Sequence, residues 1–464
     1  MDQGRAGTDE EIRVLSPTAI LGYGFPRESL REGMRRKPHV IAVDAGSTDP
    51  GPYFLGLEPR DIMGIAQFGG AIRADLVPLL DAAIAAGIPL LIGSAGGAGG
   101  NLHLMAVVLL IKAIASERGH HFRMAVIPAE FEKEFVKSQL RAGKVTPLGP
   151  APALTEEEVA RAVRIVGQMG VEPFIRALDL DARVIVAGRA NDPAMFAALP
   201  IRAGFDPGLS QHMAKILECG AIAAEPGSGS DCLFGTIRRD CFLVEPTNPE
   251  RACTIRSVAA HSLYEKSEPW RLFGPGGMVD LTNVSFEQDG PRRVRVSGSR
   301  YVADPVYRIK LEGAARVGYR TICIAGVRDP GAIARLDELT AEAVRRAEEQ
   351  FADVPRKQWE LYFRVYGRDG VMGKSEPTPA AGHEAGLLIE AVAQTQELAS
   401  SLCMFAHTTI LHHGFAGRLS TAGNLAFPFA PQDVPAGPVF RFNVYHLIEV
   451  ADPLEHFPVT LVEV

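Results

Sequence analysis

The sequence has no pair of closely spaced cysteines. Its six cysteines are scattered, with no CxxC among them, at positions 219, 232, 241, 253, 323 and 403. Disulfide-rich secreted domains and structural zinc sites both need cysteines grouped at short spacings. We therefore expect a reduced protein held by a packed core, which a chain with 47% hydrophobic residues can form.

Long apolar runs are absent as well. The longest, 102–114, is interrupted by His103 and Lys112, whereas a membrane span needs roughly 18 uninterrupted apolar residues. The opening residues, MDQGRAGTDEEIRVLSP, lack the basic start and apolar core of a signal peptide. These absences predict a cytoplasmic protein with no membrane partner.

Positive charge is also scarce. The formal net charge is -7, and no long block of basic residues occurs anywhere in the chain. Nucleic-acid-binding domains present basic patches to the phosphate backbone. We expect no nucleic-acid partner for this protein.

The most informative stretch is 88–101, IPLLIGSAGGAGGN, which reads as a buried strand, a glycine-rich turn and the start of a helix. The dinucleotide fingerprint needs a third glycine where Leu102 stands, and the ATP-binding loop needs a Gly-Lys pair that is missing. Both the NAD and the ATP interpretations are rejected, and no cofactor is predicted. A turn rich in backbone amides can still hold a carboxylate or phosphate.

Four residues of this turn are therefore candidates for substrate binding: Ser94, Gly96, Gly97 and Asn101. The alternative is that the glycines only allow the helix and the strand to pack closely.

Strand-like and helix-like segments alternate through the first half of the chain. Apolar strands are predicted at 40–43, 88–92, 124–128 and 183–187, with helices between them. This rhythm predicts an α/β fold with a parallel, Rossmann-like sheet covered by flanking helices. Thr155 resembles the N-cap of a helix that runs to about Gln168.

The pattern of apolar residues changes near residue 225, and beyond it the helical periodicity is weaker. We predict an α/β domain over 1–225, a mixed α/β region over 226–352 and an α+β domain over 353–464. Within the last, 386–413 is predicted to form one long helix or two.

Polar residues follow two further predicted strands. Asp44, Ser47 and Asp49 come after the strand at 40–43. Neighbouring carboxylates can act as acid and base, or bind a divalent metal ion. The alternative is an ordinary turn in which Ser47 or Asp49 caps a helix.

The second such segment is GRANDP, 188–193, which follows the strand at 183–187. Arg189 is suited to clamp a carboxylate, and Asn191 and Asp192 add a hydrogen-bonding group and a candidate catalytic acid. The alternative for Asp192 is that it caps the next helix, whose first turn holds Pro193.

Two polar, glycine-rich turns lie near the end of the chain, at 366–373 and 421–429. Arg368 and Asn424 in these turns are candidates for substrate binding, and their alternatives are a turn ion pair and a turn residue. Cys219, at the end of a predicted helix, is interpreted as a packed small residue. The sequence contains no HExxH motif, which would predict a zinc site.

Three segments together resemble the acyclic terpene utilisation AtuA family: GRANDP at 188–193, LECGA at 217–221 and VDLTNVSFEQDGPRRVRVSGSR at 279–300. The similarity covers most of 40–330. The segments 44–56 and 355–464 resemble a branch distinct from the terpene-pathway members. The resemblance implies bacterial catabolism of branched acyl-CoA thioesters, and a small companion protein as partner. It transfers no catalytic residue.

The three polar strand ends predict one anion-binding site, because the carboxyl ends of parallel strands lie at one edge of a sheet. We expect a cytoplasmic catabolic enzyme, a lyase or isomerase, that hydrates, dehydrates or isomerises a small carboxylate or acyl-CoA thioester by acid/base catalysis. The alternatives are a metal-assisted lyase and a non-catalytic subunit of a larger complex. We also expect a homo-oligomer.

Overall fold

The chain folds into two compact units in its computed structural model, which describes residues 10–46, 51–57, 66–264, 266, 268–378, 380, 382–418 and 421–464. Unit 1 contains the described residues up to Ala315 together with Phe442–Val464, and unit 2 contains Arg316–Arg441. The boundaries predicted at 225 and 352 fall inside unit 1 and unit 2, respectively.

The described strands and helices alternate through most of the chain. The strands are β1 (Ile12–Ser16), β2 (Val40–Gly46), β3 (Leu90–Gly97), β4 (Arg123–Ile127), β5 (Val145–Pro147), β6 (Arg164–Gly167), β7 (Val184–Ala187), β8 (Leu233–Ile237), β9 (Cys241–Pro246), β10 (Arg271–Gly274), β11 (Gly277–Asp280), β12 (Ser285–Gln288), β13 (Val294–Ser297), β14 (Arg300–Ala303), β15 (Arg308–Val327), β16 (Trp359–Tyr366), β17 (Ala385–Ala393), β18 (Asp433–Glu449) and β19 (Thr460–Glu463). The helices are α1 (Arg27–Arg35), α2 (Gly51–Gly56), α3 (Ala66–Ala86), α4 (Asn101–Arg118), α5 (Lys133–Arg141), α6 (Glu156–Arg161), α7 (Glu172–Asp179), α8 (Ala194–Arg202), α9 (Pro207–Leu217), α10 (Ile255–Leu263), α11 (Pro330–Ala334), α12 (Leu336–Gln350), α13 (Gln396–His412) and α14 (Pro453–His456). Among these described helices, none is long and apolar enough to cross a membrane.

A ten-stranded sheet forms the centre of unit 1, in the order β12-β13-β9-β8-β1-β2-β3-β7-β4-β19. The five strands β1, β2, β3, β7 and β4 are parallel to one another, which confirms the predicted α/β fold. Antiparallel strands extend the sheet at both edges, so it is mixed rather than wholly parallel.

Both faces of this sheet are buried, because successive residues of each central strand enter different cores. Leu91 and Ile185 pack with α8 and α9 on one face, whereas Leu90 and Val184 pack with α3 and α4 on the other. A strand buried on both faces is apolar at every position rather than at alternate ones. This explains why the apolar runs at 88–92 and 183–187 were recognisable as strands.

Two smaller sheets complete the pairing in unit 1 and unit 2. In unit 1, β10, β11 and β14 form a three-stranded antiparallel sheet. The first half of β15 pairs with β6 in unit 1. In unit 2, the second half of β15 pairs with β17, which pairs in turn with β16, and helices α12 and α13 cover these strands.

Two predicted helices are partly wrong. Residues 386–393 belong to strand β17, where Leu387, Ile389 and Ala391 are all buried on one face. A short apolar run does not distinguish a strand from a helix, and here the period of two is the correct one. Thr155 does accept a hydrogen bond from the Glu158 amide, but its helix ends at Arg161 and β6 follows.

Candidate functional site

The carboxyl ends of β2, β3 and β7 meet at one edge of the central sheet. The amide of Ser94 donates to the carbonyl of Gly188 at 3.0 Å, and the amide of Arg189 donates to the carbonyl of Gly99 at 3.0 Å. A side chain at Gly46 would place its Cβ 2.1 Å from the carbonyl oxygen of Gly97. The three polar segments that were expected to converge therefore lie side by side.

Arg189 is the cation at the centre of this edge, and only 1% of its surface is exposed. Its Nε and Nη2 donate to the two carboxylate oxygens of Glu312, at 2.9 and 3.4 Å. Its Nη1 donates to Ser94 Oγ at 3.0 Å and to Asp192 Oδ1 at 3.1 Å. Burial by itself lowers the pKa of Arg189. The charges of Glu312 and Asp192 raise this pKa by more than burial lowers it, so the net shift is upward. Two carboxylates of the protein itself therefore bind this guanidinium.

Glu312 is fully ionised in these surroundings. Burial alone would raise its pKa, but Arg189 and Lys310 lower the pKa to about 2. Lys310 Nζ lies 2.6 Å from Glu312 Oε1 and 4.6 Å from the ring centre of Tyr445. A carboxylate between two cations is a fixed negative charge rather than a group that exchanges protons near neutral pH.

Asp44 has the opposite electrostatic environment. It is 2% exposed, and its Oδ1 accepts hydrogen bonds from the amides of Ala45 at 2.8 Å and Gly46 at 3.4 Å. Burial is the main reason that its pKa lies well above the usual range, and the charge of Asp192 adds to the rise more than Arg189 opposes it. Asp44 is therefore the group of this cluster whose proton is retained above the normal range of an aspartic acid.

A second ion pair joins the cluster from the end of α9. Lys215 Nζ lies 2.5 Å from Glu218 Oε1, and both side chains are buried. Lys215 also lies 5.0 Å from the ring centre of Tyr264, whose hydroxyl is 3.2 Å from Cys219 Sγ. Glu218 is among the charges that raise the pKa of Asp44, and Asp192 is among those that raise the pKa of Lys215. The two ion pairs consequently form one electrostatic unit.

The glycine-rich turn is held close to its neighbours. Gly96 and Gly97 both have positive φ, and a Cβ at Gly96 would lie 2.7 Å from the Cβ of His103. Ser94 also has a positive φ of 48°, which is uncommon outside glycine. Close packing of the helix and the strand accounts for these glycines, in agreement with the alternative to substrate binding.

The amide at the start of α4 already has an anionic partner from the protein. Asn101 N donates to Glu130 Oε1 at 2.7 Å, so the Glu130 carboxylate lies where the helix N-terminus attracts negative charge. The turn thus uses one of its amides for an internal contact. Binding of a substrate anion by Ser94, Gly96, Gly97 and Asn101 stays a prediction.

Asn191 lies in the same turn as Arg189 and Asp192, but it borders a cavity beside the charged cluster. It lines a cavity of about 170 Å³, together with residues that include Glu172, Gln211 and Tyr301. Its backbone amide donates to Met169 O at 2.9 Å, which fixes the turn at this point.

Four other residues were predicted at the site. Ser47 and Asp49 lie outside the described residues. Arg368 and Asn424 belong to unit 2. There Arg368 pairs with Asp337 at 2.7 Å, and Asn424 donates to two carbonyl oxygens at the end of α13. Arg368 also pairs with Asp369 of its own turn at 3.2 Å, which is the ion pair given as its alternative. Substrate binding by Arg368 and Asn424 stays a prediction.

A metal site was the alternative use of the aspartates. Among the described residues, no group of three histidine, cysteine or acidic side chains is arranged to hold a metal ion. Asp44 and Asp192 are described and Asp49 is not, so the described residues do not test the predicted ligand set as a whole.

Four charged residues of the cluster were not predicted: Lys215, Glu218, Lys310 and Glu312. Two signals existed for them. Lys310 and Glu312 alternate with the apolar residues Ile309 and Leu311 in β15, which places both charged side chains on one face. Lys215 and Glu218 are three residues apart on a buried helix, a spacing at which charges meet.

Comparison with known proteins gives one match. A family model described as "Acyclic terpene utilisation family protein AtuA" matches residues 67–225 and 239–428. No curated protein matches the chain. No solved structure matches it either.

Proposed function

Because the chain belongs to the acyclic terpene utilisation AtuA family, we propose that it is a catabolic enzyme of the cytoplasm that acts on a small carboxylate or acyl-CoA thioester. The proposed reaction is a hydration, dehydration or isomerisation by acid/base catalysis. A place in a branch outside the terpene pathway, the homo-oligomer and the small companion protein stay predictions.

The observation that supports this chemistry is the pair of acidic side chains beside Arg189. Asp44 is buried and its pKa is raised, whereas Asp192 is one-third exposed and lies 3.1 Å from a guanidinium nitrogen. Two acids whose surroundings differ in this way suit the roles of proton donor and proton acceptor.

In the proposed dehydration, Asp192 takes the proton next to the substrate carbonyl, and Asp44 gives its proton to the departing hydroxyl group, which leaves as water. In isomerisation, Asp44 gives its proton to a second carbon instead. Arg189 is a positioning residue in this scheme, because it holds Asp192 on one side and Glu312 on the other. Exchange with solvent then restores both acids.

The experiment is a comparison of Asp44→Asn with the wild-type protein on short branched unsaturated acyl-CoA thioesters and the matching free acids in D₂O. Loss of a positioned proton donor is expected to lower turnover and deuterium uptake into the substrate roughly 100-fold or more. Mass spectrometry measures both quantities. For isomerisation, in which Asp44 gives a proton, the wild-type rate is also expected to fall as the pH rises through the raised pKa of Asp44. Hydration is the reverse of the proposed dehydration and needs ionised Asp44 to take a proton from water, so its rate should rise over the same pH range.

Asp75→Asn is the matched control. Asp75 is also buried with a raised pKa, but it accepts hydrogen bonds from the amides of Gly22 and Gly24, away from Arg189. We expect Asp75→Asn to retain turnover. Equal rates for Asp44→Asn and wild type would remove Asp44 from the mechanism. Absence of turnover in the wild type on every substrate would favour a non-catalytic subunit.

A further inference from the structure

A cavity of about 170 Å³ opens beside the turn that carries Arg189 and Asp192. It lies where β6 and β7 end, and Asn191 contributes to its lining from within the same turn. An engineered cavity of about 150 Å³ is large enough to bind benzene. This cavity therefore has room for a ligand part of roughly six non-hydrogen atoms.

The polar part of the lining comes from Glu172, Asn191, Gln211 and Tyr301. Glu172 Oε2 accepts a hydrogen bond from the hydroxyl of Tyr307 at 2.8 Å. Burial raises the pKa of Glu172, and the hydrogen bond from Tyr307 opposes that rise. These groups donate and accept hydrogen bonds, as an alcohol, carbonyl or amide group requires.

Glycine at position 170 shapes this polar floor. A Cβ at Gly170 would lie 2.5 Å from Glu172 Oε2 and 2.6 Å from the hydroxyl oxygen of Tyr307. A side chain at this position would displace the ends of both side chains from their present places.

The rest of the lining is apolar and uncharged. Val171, Ala194 and Ile201 contribute hydrocarbon, and the described lining residues include no lysine, arginine or histidine. An anionic ligand group would meet the Glu172 carboxyl and find no cation, and burying an unpaired charge is costly. The lining consequently favours an uncharged ligand with one apolar side.

We propose that this cavity binds an uncharged part of the substrate, of about six non-hydrogen atoms with one hydroxyl, carbonyl or amide group. The assignment to a substrate rests on the proposed function, because the turn 188–193 directs Asn191 to the cavity and Asp192 to the acid/base cluster. Binding in the cavity is a separate property that can be measured without turnover.

The test measures binding of three probes with the same carbon skeleton by ligand-observed NMR at neutral pH: isoamyl alcohol, isovaleramide and isovalerate. We expect the alcohol and the amide to bind at least about tenfold more tightly than the anionic isovalerate, because the anion would be buried unpaired. Equal or tighter binding of isovalerate would overturn the proposal, and so would the absence of binding by all three probes.

Two variants locate the binding in the cavity. Ala194→Met fills it and is expected to weaken amide binding about tenfold or more, because the added atoms occupy the ligand space. Ala203→Met, an exposed position after the same helix, is the matched control and should bind like wild type. Asn191→Asp replaces the side-chain NH2 donor by an acceptor without adding volume, so it cannot donate to the ligand carbonyl and should weaken isovaleramide binding even if Ala194→Met is unstable. Wild-type affinity in Ala194→Met would contradict the proposal. If Ala194→Met fails to fold, wild-type affinity in Asn191→Asp would contradict it instead.

Turnover separates this inference from the proposed function. If a substrate is found, Ala194→Met should raise its KM more than it lowers kcat, and an unchanged KM would overturn the assignment of the cavity to the substrate. If the probes bind but no substrate is turned over, the proposed function fails and the cavity remains an uncharged-ligand site.

Discussion

Glu312 and Asp44 are buried carboxyl groups of one cluster whose pKa values are shifted in opposite directions. The difference arises from their partners, since Glu312 lies between two cations and Asp44 faces another carboxylate. Burial by itself would have raised both. The identity of the neighbouring charge therefore determines which acid keeps its proton.

Glu312→Gln should destabilise the protein at neutral pH. A folded-state pKa of about 2 lies below the value of roughly 4.3 for a free glutamate, so ionised Glu312 stabilises the fold above that value. We expect a loss of about 3–5 kcal/mol at pH 7, because Arg189 loses a buried partner. Urea unfolding measures it.

The pH dependence and a control sharpen this prediction. The difference between wild type and Glu312→Gln should shrink as the pH falls from about 4 toward 2, because protonation removes the same charge from the wild type. Glu156→Gln breaks an exposed pair with Arg141 and should change the free energy of unfolding far less than Glu312→Gln. A difference that grows on acidification would contradict the role given to Glu312.

At the scale of single residues, the sequence predicted those members of the cluster that follow a strand. Asp44, Ser94, Arg189 and Asp192 were recognisable because polar residues directly after a buried strand lie at its carboxyl end. Glu312 was not, because its partner Arg189 is brought to it by the pairing of distant segments. That pairing leaves no local mark in the sequence.

Among the secondary-structure elements, the turn between β3 and α4 has little free space. Gly99 has a φ of +66°, and a Cβ there would lie 2.1 Å from the backbone nitrogen of Arg189. Gly87, at the end of α3, has nearly the same φ of +65° but no atom within 4 Å of its Cβ position. The two glycines thus share one backbone requirement and differ in packing.

Gly87→Ala and Gly99→Ala separate these two effects. The left-handed backbone alone should cost Gly87→Ala about 1–2 kcal/mol of unfolding free energy. Gly99→Ala should cost clearly more, since the backbone of β7 has to move away from β3. Urea titrations of both variants measure the difference, and equal losses would show that packing at Gly99 is relaxed without cost.

The central strands were also the elements best predicted. The apolar runs that became β2, β3, β4 and β7 are buried on both faces, which makes each of them continuous in sequence. The wrong helix at 386–393 had the same apolar character. There the alternation of Leu387, Ile389 and Ala391 was the signal, and it is weaker because Glu390 on the other face is buried too.

At the scale of the whole molecule, thiol exposure gives a measure of how completely the chain is packed. All six cysteines are thiols outside any disulfide, and five of them are buried, with Cys219 only partly so. Burial raises the pKa of the buried thiols, including that of Cys253 to about 12, which slows their reaction as thiolates.

We therefore expect one thiol of the native protein to react quickly with Ellman's reagent and all six to react after unfolding in urea. Cys219→Ala should abolish the fast phase, whereas Cys241→Ala should leave it intact. Rapid reaction of several thiols in the native protein would show that the cores open readily.

The pairing of β19 with β4 has a consequence for how the chain is synthesised. β4 occupies residues 123–127, but its outer neighbour, Thr460–Glu463, leaves the ribosome only after every other described strand has done so. At a synthesis rate of about 5–20 residues per second, the outer edge of β4 stays unpaired for many seconds until its neighbour has been made. An uncovered edge strand is a template for aggregation. Nascent chains that stop short of Thr460 should therefore depend on chaperones more than complete ones.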